Sequence, residues 1–201
     1  MAATALATYL LFLLLAFLWR GWLQGRRTGD HGFRGFSGPV GSAGWLGGCL
    51  VTFGGLAAFV APVAELWGVA PATAAWLPTP VRAGGVALMV VGVMLTLIAQ
   101  VQMGSSWRIG VDPTEATELV TTGLFARVRN PIFSAMLAAL LGLALAVPNL
   151  IALSAFIASL AGIELQVRKV EEPHLLRTHG ERYRSYAQRV GRFVPGVGLL
   201  E

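Results

Sequence analysis

The chain has 201 residues, 55% of them hydrophobic and only 12% charged, with a mean hydropathy of +0.67. A soluble domain carries about 25% charged residues, so the composition excludes an ordinary soluble enzyme and marks an integral membrane protein. The formal charge of +5 then reads as positive-inside topology rather than as a nucleic-acid surface.

In chain order, residues 1–19 carry no charged side chain before Arg20, and "ATYLLFLLLAFLW" is almost wholly apolar. With no Lys or Arg at its start and no small-residue cleavage site after it, this stretch is expected to be a first transmembrane helix rather than a signal peptide. A polar loop is expected over 20–44, because "GFSGPVGSAG" is turn chemistry. The second span is placed from about Trp45 to Val63 and the third over 83–103. Cys49 has no second cysteine to pair with and reads as a small packing residue.

Residues 130–163 are also uncharged. As one helix they would reach ~50 Å at ~1.5 Å per residue, against a hydrocarbon core of ~30 Å. "VPN" at 147–149 supplies the break, giving two short helices in a tight hairpin over 131–166. The expected fold is therefore all-α: a polytopic membrane protein of about five transmembrane helices, the last two a hairpin, with a cytoplasmic helical tail. Residues 1–103 form an N-terminal part of three spans, and 104–201 a separate core.

Lys plus Arg between spans count four, one, three, none and seven along the chain. That alternation puts the N-terminus outside and the C-terminus in the cytoplasm. Trp67 and Trp76 fit the outer interface. The two polar segments richest in functional groups, 104–131 and 164–201, then face the same side. There is no G-x-G-x-x-G after a strand and no P-loop. His31, His174 and His179 have no metal-ligand spacing, and no metal is called for.

Within "LVTTGLFARVRNPIF" (119–133), Asn130 suits an N-cap and Pro131 the first helical position. Arg127 and Arg129 read either as interface anchors or as part of an anion site at the helix start. Glu171 and Glu172 stand just past the last apolar run. They read either as a solvated helix end paired with Arg168 or Lys169, or as functional carboxylates, since acids beside a membrane are costly unless used. Pro173 cannot continue a straight helix and should kink or restart it, and Gly180 should end that piece. Tyr183 and Tyr186, three apart, share a helix face with Leu176 behind them and read first as core packing.

Taken together, "MGSSWR" (103–108), "LVTTGLFARVRNPIF", "VEEPHLLRTHGERYRSY" (170–186) and "RVGRFVP" (189–195) resemble the isoprenylcysteine carboxyl methyltransferase family, which is related to the phospholipid N-methyltransferases. The pattern resembled is L-V-T-x-G, R-H-P-x-Y, a helical hairpin, E-E-x-x-L, G-x-x-Y-x-x-Y and a final P. It covers roughly half the chain, and spans one to three carry no assigned motif.

The resemblance implies S-adenosylmethionine-dependent methyl transfer at the membrane face to a lipophilic acceptor, a small molecule or lipidated substrate, preferably a carboxylate. By position, Glu118, Leu119 and Val120 would line the cofactor, and Phe125, Arg129, Asn130, Pro131 and Phe133 would follow it. Glu171 or Glu172 would reach it from the last span, and Arg168 would lie near the acceptor; these three are the catalytic candidates. Asn130 stands where the pattern has His, and Phe133 where it has Tyr. Neither can titrate in the physiological range, which favours an acceptor already ionised, or a substitute base such as Glu171 or His174. Two other readings remain at this point: a membrane reductase of the sterol-reductase type using a nicotinamide cofactor, and a non-catalytic scaffold keeping the fold.

Overall fold

The computed structural model describes residues 1–70, 73, 77–110 and 117–200. Among them the regular elements are helices, and extended pairing is limited to isolated bridges. Trp76 lies outside the described residues; Trp67, at the end of the second span, is 79% exposed as an interface indole should be.

The first helical run is longer than expected. α1 (Ala2–Leu13) passes through a widened π turn, Leu14–Trp19, directly into α2 (Arg20–Thr28). Residues 20–28 are thus helix rather than loop, and Gly29, at φ +76°, ends them. Arg20 is 3% exposed, and the two terminal nitrogens of its guanidinium are engaged inside the protein. Its Nη1 donates to Gln24 Oε1 at 2.9 Å and its Nη2 to the Gly104 carbonyl at 2.6 Å, and the guanidinium lies 4.7 Å from the Trp107 ring centre. Gln24 Nε2 donates to the Ser105 carbonyl at 2.8 Å. A buried charge survives only with such partners, so Arg20 ties the first helix to the chain that leaves the third span.

α3 (Ala43–Leu66) starts at Ser42, whose Oγ accepts from the Trp45 N–H at 3.2 Å. α4 (Thr79–Met103) ends at Gly104. α5 (Pro131–Ala146) and α6 (Leu150–Gln166) are the two arms of the hairpin, broken at Val147–Asn149 as the "VPN" signal predicts. Asn149 closes the turn twice over: Oδ1 accepts from the Ala152 N–H at 2.9 Å, and Nδ2 donates to the Ala61 carbonyl at 3.0 Å.

The expectation that both arms are short holds for one of them. α5, with 16 residues, spans ~24 Å. α6 instead continues through a π turn, Val167–Glu171, into α7 (Glu172–His179), so the helical run is Leu150–His179. The wide turn is where the chain absorbs Pro173, which sits in the first turn of α7 and needs no donor there. Gly180, at φ +52°, ends α7, and α8 (Glu181–Ala187) follows. Among the described residues four helical runs are long and apolar enough to cross a membrane, and α5 is a shorter apolar fifth.

Small residues bring these helices together, as expected where lipid removes any hydrophobic drive between them. A Cβ at Gly142 would lie 2.5 Å from the Gly85 carbonyl oxygen, so α4 and α5 pack backbone to backbone. A Cβ at Gly162 would lie 2.7 Å from that of Gly47, which sets the same closeness for α3 and α6. α1 seals the two pairs through Ala5, Tyr9 and Phe12, with the Tyr9 hydroxyl donating to the Gly55 carbonyl at 2.7 Å. At the end of the bundle away from the tail, Arg82 Nη2 pairs with Glu65 Oε1 at 2.7 Å and its Nε donates to the Ala146 carbonyl at 3.1 Å.

Candidate functional site

The "RNPIF" turn is held from behind by the end of the chain. The N–H of Arg129 donates to the Gly191 carbonyl at 2.8 Å, and that of Asn130 to the Arg192 carbonyl at 3.1 Å. Gly191 is required by crowding, since a Cβ there would meet the Gly196 nitrogen at 2.8 Å. Asn130 does occupy the N-cap position of α5, but its side chain makes no cap; Nδ2 donates to the Arg192 carbonyl at 3.1 Å instead. Ser134 Oγ makes the local ties, to the carbonyls of Asn130 at 3.0 Å and Phe193 at 2.7 Å. The Arg192 carbonyl thus accepts from both the main-chain N–H and the side-chain amide of Asn130.

Arg129 is the hub beneath this turn. Its Nη1 donates to the carbonyls of Ala187 at 2.8 Å and Val190 at 2.5 Å, and its Nη2 to Glu172 Oε1 at 2.6 Å and the Gly198 carbonyl at 2.9 Å. Arg192 closes on the same carboxylate, Nε to Oε1 at 2.8 Å and Nη2 to Oε2 at 2.9 Å. Arg129 and Glu172 are both buried, and such charges persist because each is paired and hydrogen-bonded. The Glu172 carboxylate raises the affinity of Arg192 for its proton. Above the hub, Tyr186 donates its hydroxyl to the Phe125 carbonyl at 2.6 Å, and burial pushes its phenol up to about 12. Tyr183, 6.1 Å away ring to ring, is held above the usual range by burial and by the charge of Glu172.

A cavity of about 520 Å³ opens on this platform and runs into the bundle. At the tail end it is walled by Glu118, Leu119, Val120, Phe125, Arg129, Asn130, Pro131, Phe133, Glu171, Tyr183 and Tyr186. Deeper, the walls become apolar: Tyr9, Phe12 and Phe17 from the first helix, Met89 and Val93 from α4, Met136 and Leu143 from α5. From Met103 to Met89 the cavity follows α4 for about 20 Å at ~1.5 Å per residue, which is most of a hydrocarbon core of ~30 Å.

Nine residues singled out in the sequence thus meet on one cavity: Glu118, Leu119, Val120, Phe125, Arg129, Asn130, Pro131, Phe133 and Glu171. Three other candidates lie elsewhere. Glu172 is consumed by Arg129 and Arg192 and does not line the cavity. Arg168 pairs with Glu164 on the exposed face of its helix. His174 lies on a second cleft rather than on this cavity. By contrast, Glu171 faces the cavity and makes no hydrogen bond with a described residue. Adjacent residues on a helix point about 100° apart, and here that rotation separates a structural carboxylate from a free one.

Sequence reasoning missed the contribution of the first three spans. Phe36 and Ser37 of the 29–42 loop, Trp107 and Ile109 of the chain after α4, and the amides Gln100 and Gln166 all line the cavity. The loop and the later chain are stitched together, the Ile109 N–H to the Gly32 carbonyl at 2.7 Å and the Arg34 N–H to the Ile109 carbonyl at 2.9 Å. Gln100 Nε2 donates to the Ala16 carbonyl, inside the first π turn, at 3.0 Å, and Gln166 Nε2 to Ser37 Oγ at 3.1 Å. The available signal was the amides themselves, isolated polar groups in apolar runs.

The phospholipid methyltransferase family model matches residues 81–182, which takes in α4, the "RNPIF" turn, the hairpin and the paired glutamates. Among solved structures, the eukaryotic intramembrane Ras methyltransferase, an isoprenylcysteine carboxyl methyltransferase, is similar in fold. Its TM-score is 0.56 over 99% of this chain and 95% of that chain, at 15% identity. No curated protein matches the sequence. The matched segment, half of the chain, supplies the "RNPIF" turn, both glutamates and the α4–α5 walls of the cavity, and on that ground the chain belongs to the phospholipid methyltransferase family and is an integral membrane methyltransferase.

Proposed function

We propose that the protein transfers a methyl group from S-adenosylmethionine to a lipophilic acceptor carrying a carboxylate, at the cytoplasmic face of the membrane. The observation that carries this reading is a single cavity with a polar end at the tail and an apolar path about 20 Å long into the bundle. The polar end suits a charged cofactor reached from water, and the path suits a hydrocarbon reached from lipid.

The residues present fit that cofactor. Glu171 offers a carboxylate with no described partner, suited to an ammonium or a ribose hydroxyl. Phe125 and Phe133 offer ring faces to a cation or a base. Arg129, already engaged by Glu172 and three carbonyls, contributes positive potential and a rigid floor rather than a free fork for a carboxylate. When bound, S-adenosylmethionine supplies an electrophilic methyl on a sulfonium.

The work left to the chain is to position the two reactants in line and to keep water away. Transfer of that methyl to a carboxylate would cancel a cation against an anion between the apolar walls formed by Phe12, Met89 and Met136. Low-dielectric walls favour such a charge-cancelling step. No proton has to be removed from a carboxylate near neutral pH, which agrees with Asn130 and Phe133 standing where the resembled pattern has His and Tyr.

Binding of S-adenosylhomocysteine to the purified, folded protein in detergent tests the reading. Saturable binding below millimolar ligand is expected. Its absence overturns the proposal.

A further inference from the structure

A second cleft, of about 520 Å³, lies where the 29–42 loop, the start of α3 and the π turn with α7 come together. Arg34, Lys169, His174 and Arg177 line it, and among the described residues no carboxylate does. Arg34 is engaged by Asp30. Lys169 and Arg177 make no ion pair or hydrogen bond with a described residue. Ala43 and Gly44, the first residues of the 24-residue helix α3, form part of the wall, so the positive end of that helix adds to the side-chain charge. Lys169 and Arg177 are like charges brought to one cleft, and they repel one another unless an anion lies between them.

The surroundings say which anion. The cleft sits at the end of two membrane-spanning runs, Ala43–Leu66 and Leu150–His179. Phe36 on its rim is 47% exposed, and Val40 and Leu46, within two residues of the lining Gly38, Ser42 and Gly44 in the chain, are 81% and 45% exposed. A soluble phosphate compound has no use for such a rim, whereas a lipid bearing a phosphate needs both the cations and the apolar shoulder. We propose that this cleft binds the phosphate headgroup of an anionic membrane lipid, separately from the methyl-transfer cavity. Phe36 and Ser37 wall both sites, and Gln166 holds Ser37, so a bound headgroup would brace the loop that closes one side of the larger cavity.

The test uses the full-length protein in neutral detergent, titrated with dihexanoyl phosphatidylglycerol, dihexanoyl phosphatidylcholine and glycerol phosphate, with binding read by native mass spectrometry. Phosphatidylglycerol should bind about tenfold more tightly than phosphatidylcholine, since each cation near a lipid surface is worth ~1 kcal/mol. The double variant Lys169→Gln, Arg177→Gln should lose that preference. Both side chains are exposed and unpaired, so its melting temperature should stay at the wild-type value. Arg182→Gln, Arg189→Gln, which removes two exposed cations of the tail outside the cleft, should keep the preference. Equal affinity for the two lipids, or equal loss in both double variants, overturns the proposal. Glycerol phosphate binding as tightly as the lipid overturns the lipid assignment in favour of a free phosphate site.

Discussion

At the scale of single residues, the two adjacent glutamates do different work. Glu172 is locked between Arg129 and Arg192, so Glu172→Gln leaves the buried Arg129 and the partly buried Arg192 short of their counter-charge. Breaking a buried pair costs about 3–5 kcal/mol, and a clear fall in melting temperature is expected in detergent. Glu171→Gln removes a carboxylate with no described partner. It should leave the melting temperature unchanged while weakening S-adenosylhomocysteine binding about tenfold, the loss of one charge-assisted bond. Equal melting temperatures for the two variants would sink this division. Tyr186 gives a pH prediction. Its phenol is raised from 10.0 to about 12 in the folded state, so the stability it contributes is complete below pH 10 and is lost as pH rises toward about 12. Tyr186→Phe loses the bond to Phe125 at neutral pH but should show a shallower alkaline loss, measured as melting temperature against pH. Sequence alone could name both glutamates but not separate them, because the helix rotation set by the π turn at Val167–Glu171 is a tertiary matter.

At the scale of elements, the hairpin and its neighbours depend on glycine at backbone contacts. Gly142→Leu drives a side chain into the main chain of α4, where even a Cβ would lie 2.5 Å from a carbonyl oxygen. Overpacking of this kind costs about 1–3 kcal/mol, and the variant should melt several degrees lower with reduced yield. Gly84→Leu on α4, where a Cβ meets nothing within 4 Å, should melt as the wild type does. The hairpin break at "VPN" and the stop at Gly180 were both legible, because prolines and glycines act through local geometry, whereas the Ser42 cap of α3 went unread and the span was started at Trp45. The run of α1 into α2 and of α6 into α7 was not. Charged residues usually mark where a span ends, but Arg20 finds Gln24, Gly104 and Trp107 inside the protein. No local rule announces Gly104 and Trp107, which lie more than eighty residues away.

At the scale of the whole molecule, the fold sets a cavity between a polar platform and an apolar bundle. The proposed orientation, with the tail in the cytoplasm, can be checked by single cysteines in a Cys49→Ala background. Arg182→Cys should react with a membrane-impermeant maleimide only from the cytoplasmic side, and Gly68→Cys only from the other; the reverse pattern would overturn the orientation. By itself the sequence determined the class of the molecule, since uncharged runs of that length have no stable place in water, and the order of its hairpin and platform motifs, since those are written in adjacent residues. The tertiary structure decided which carboxylate is free, where Arg20 and Arg168 go, and that the first three helices wall the cavity through Tyr9, Gln100 and the 29–42 loop. Those outcomes rest on contacts between residues distant in the chain and on the rotation of each helix about its axis, neither of which is encoded in local residue pattern.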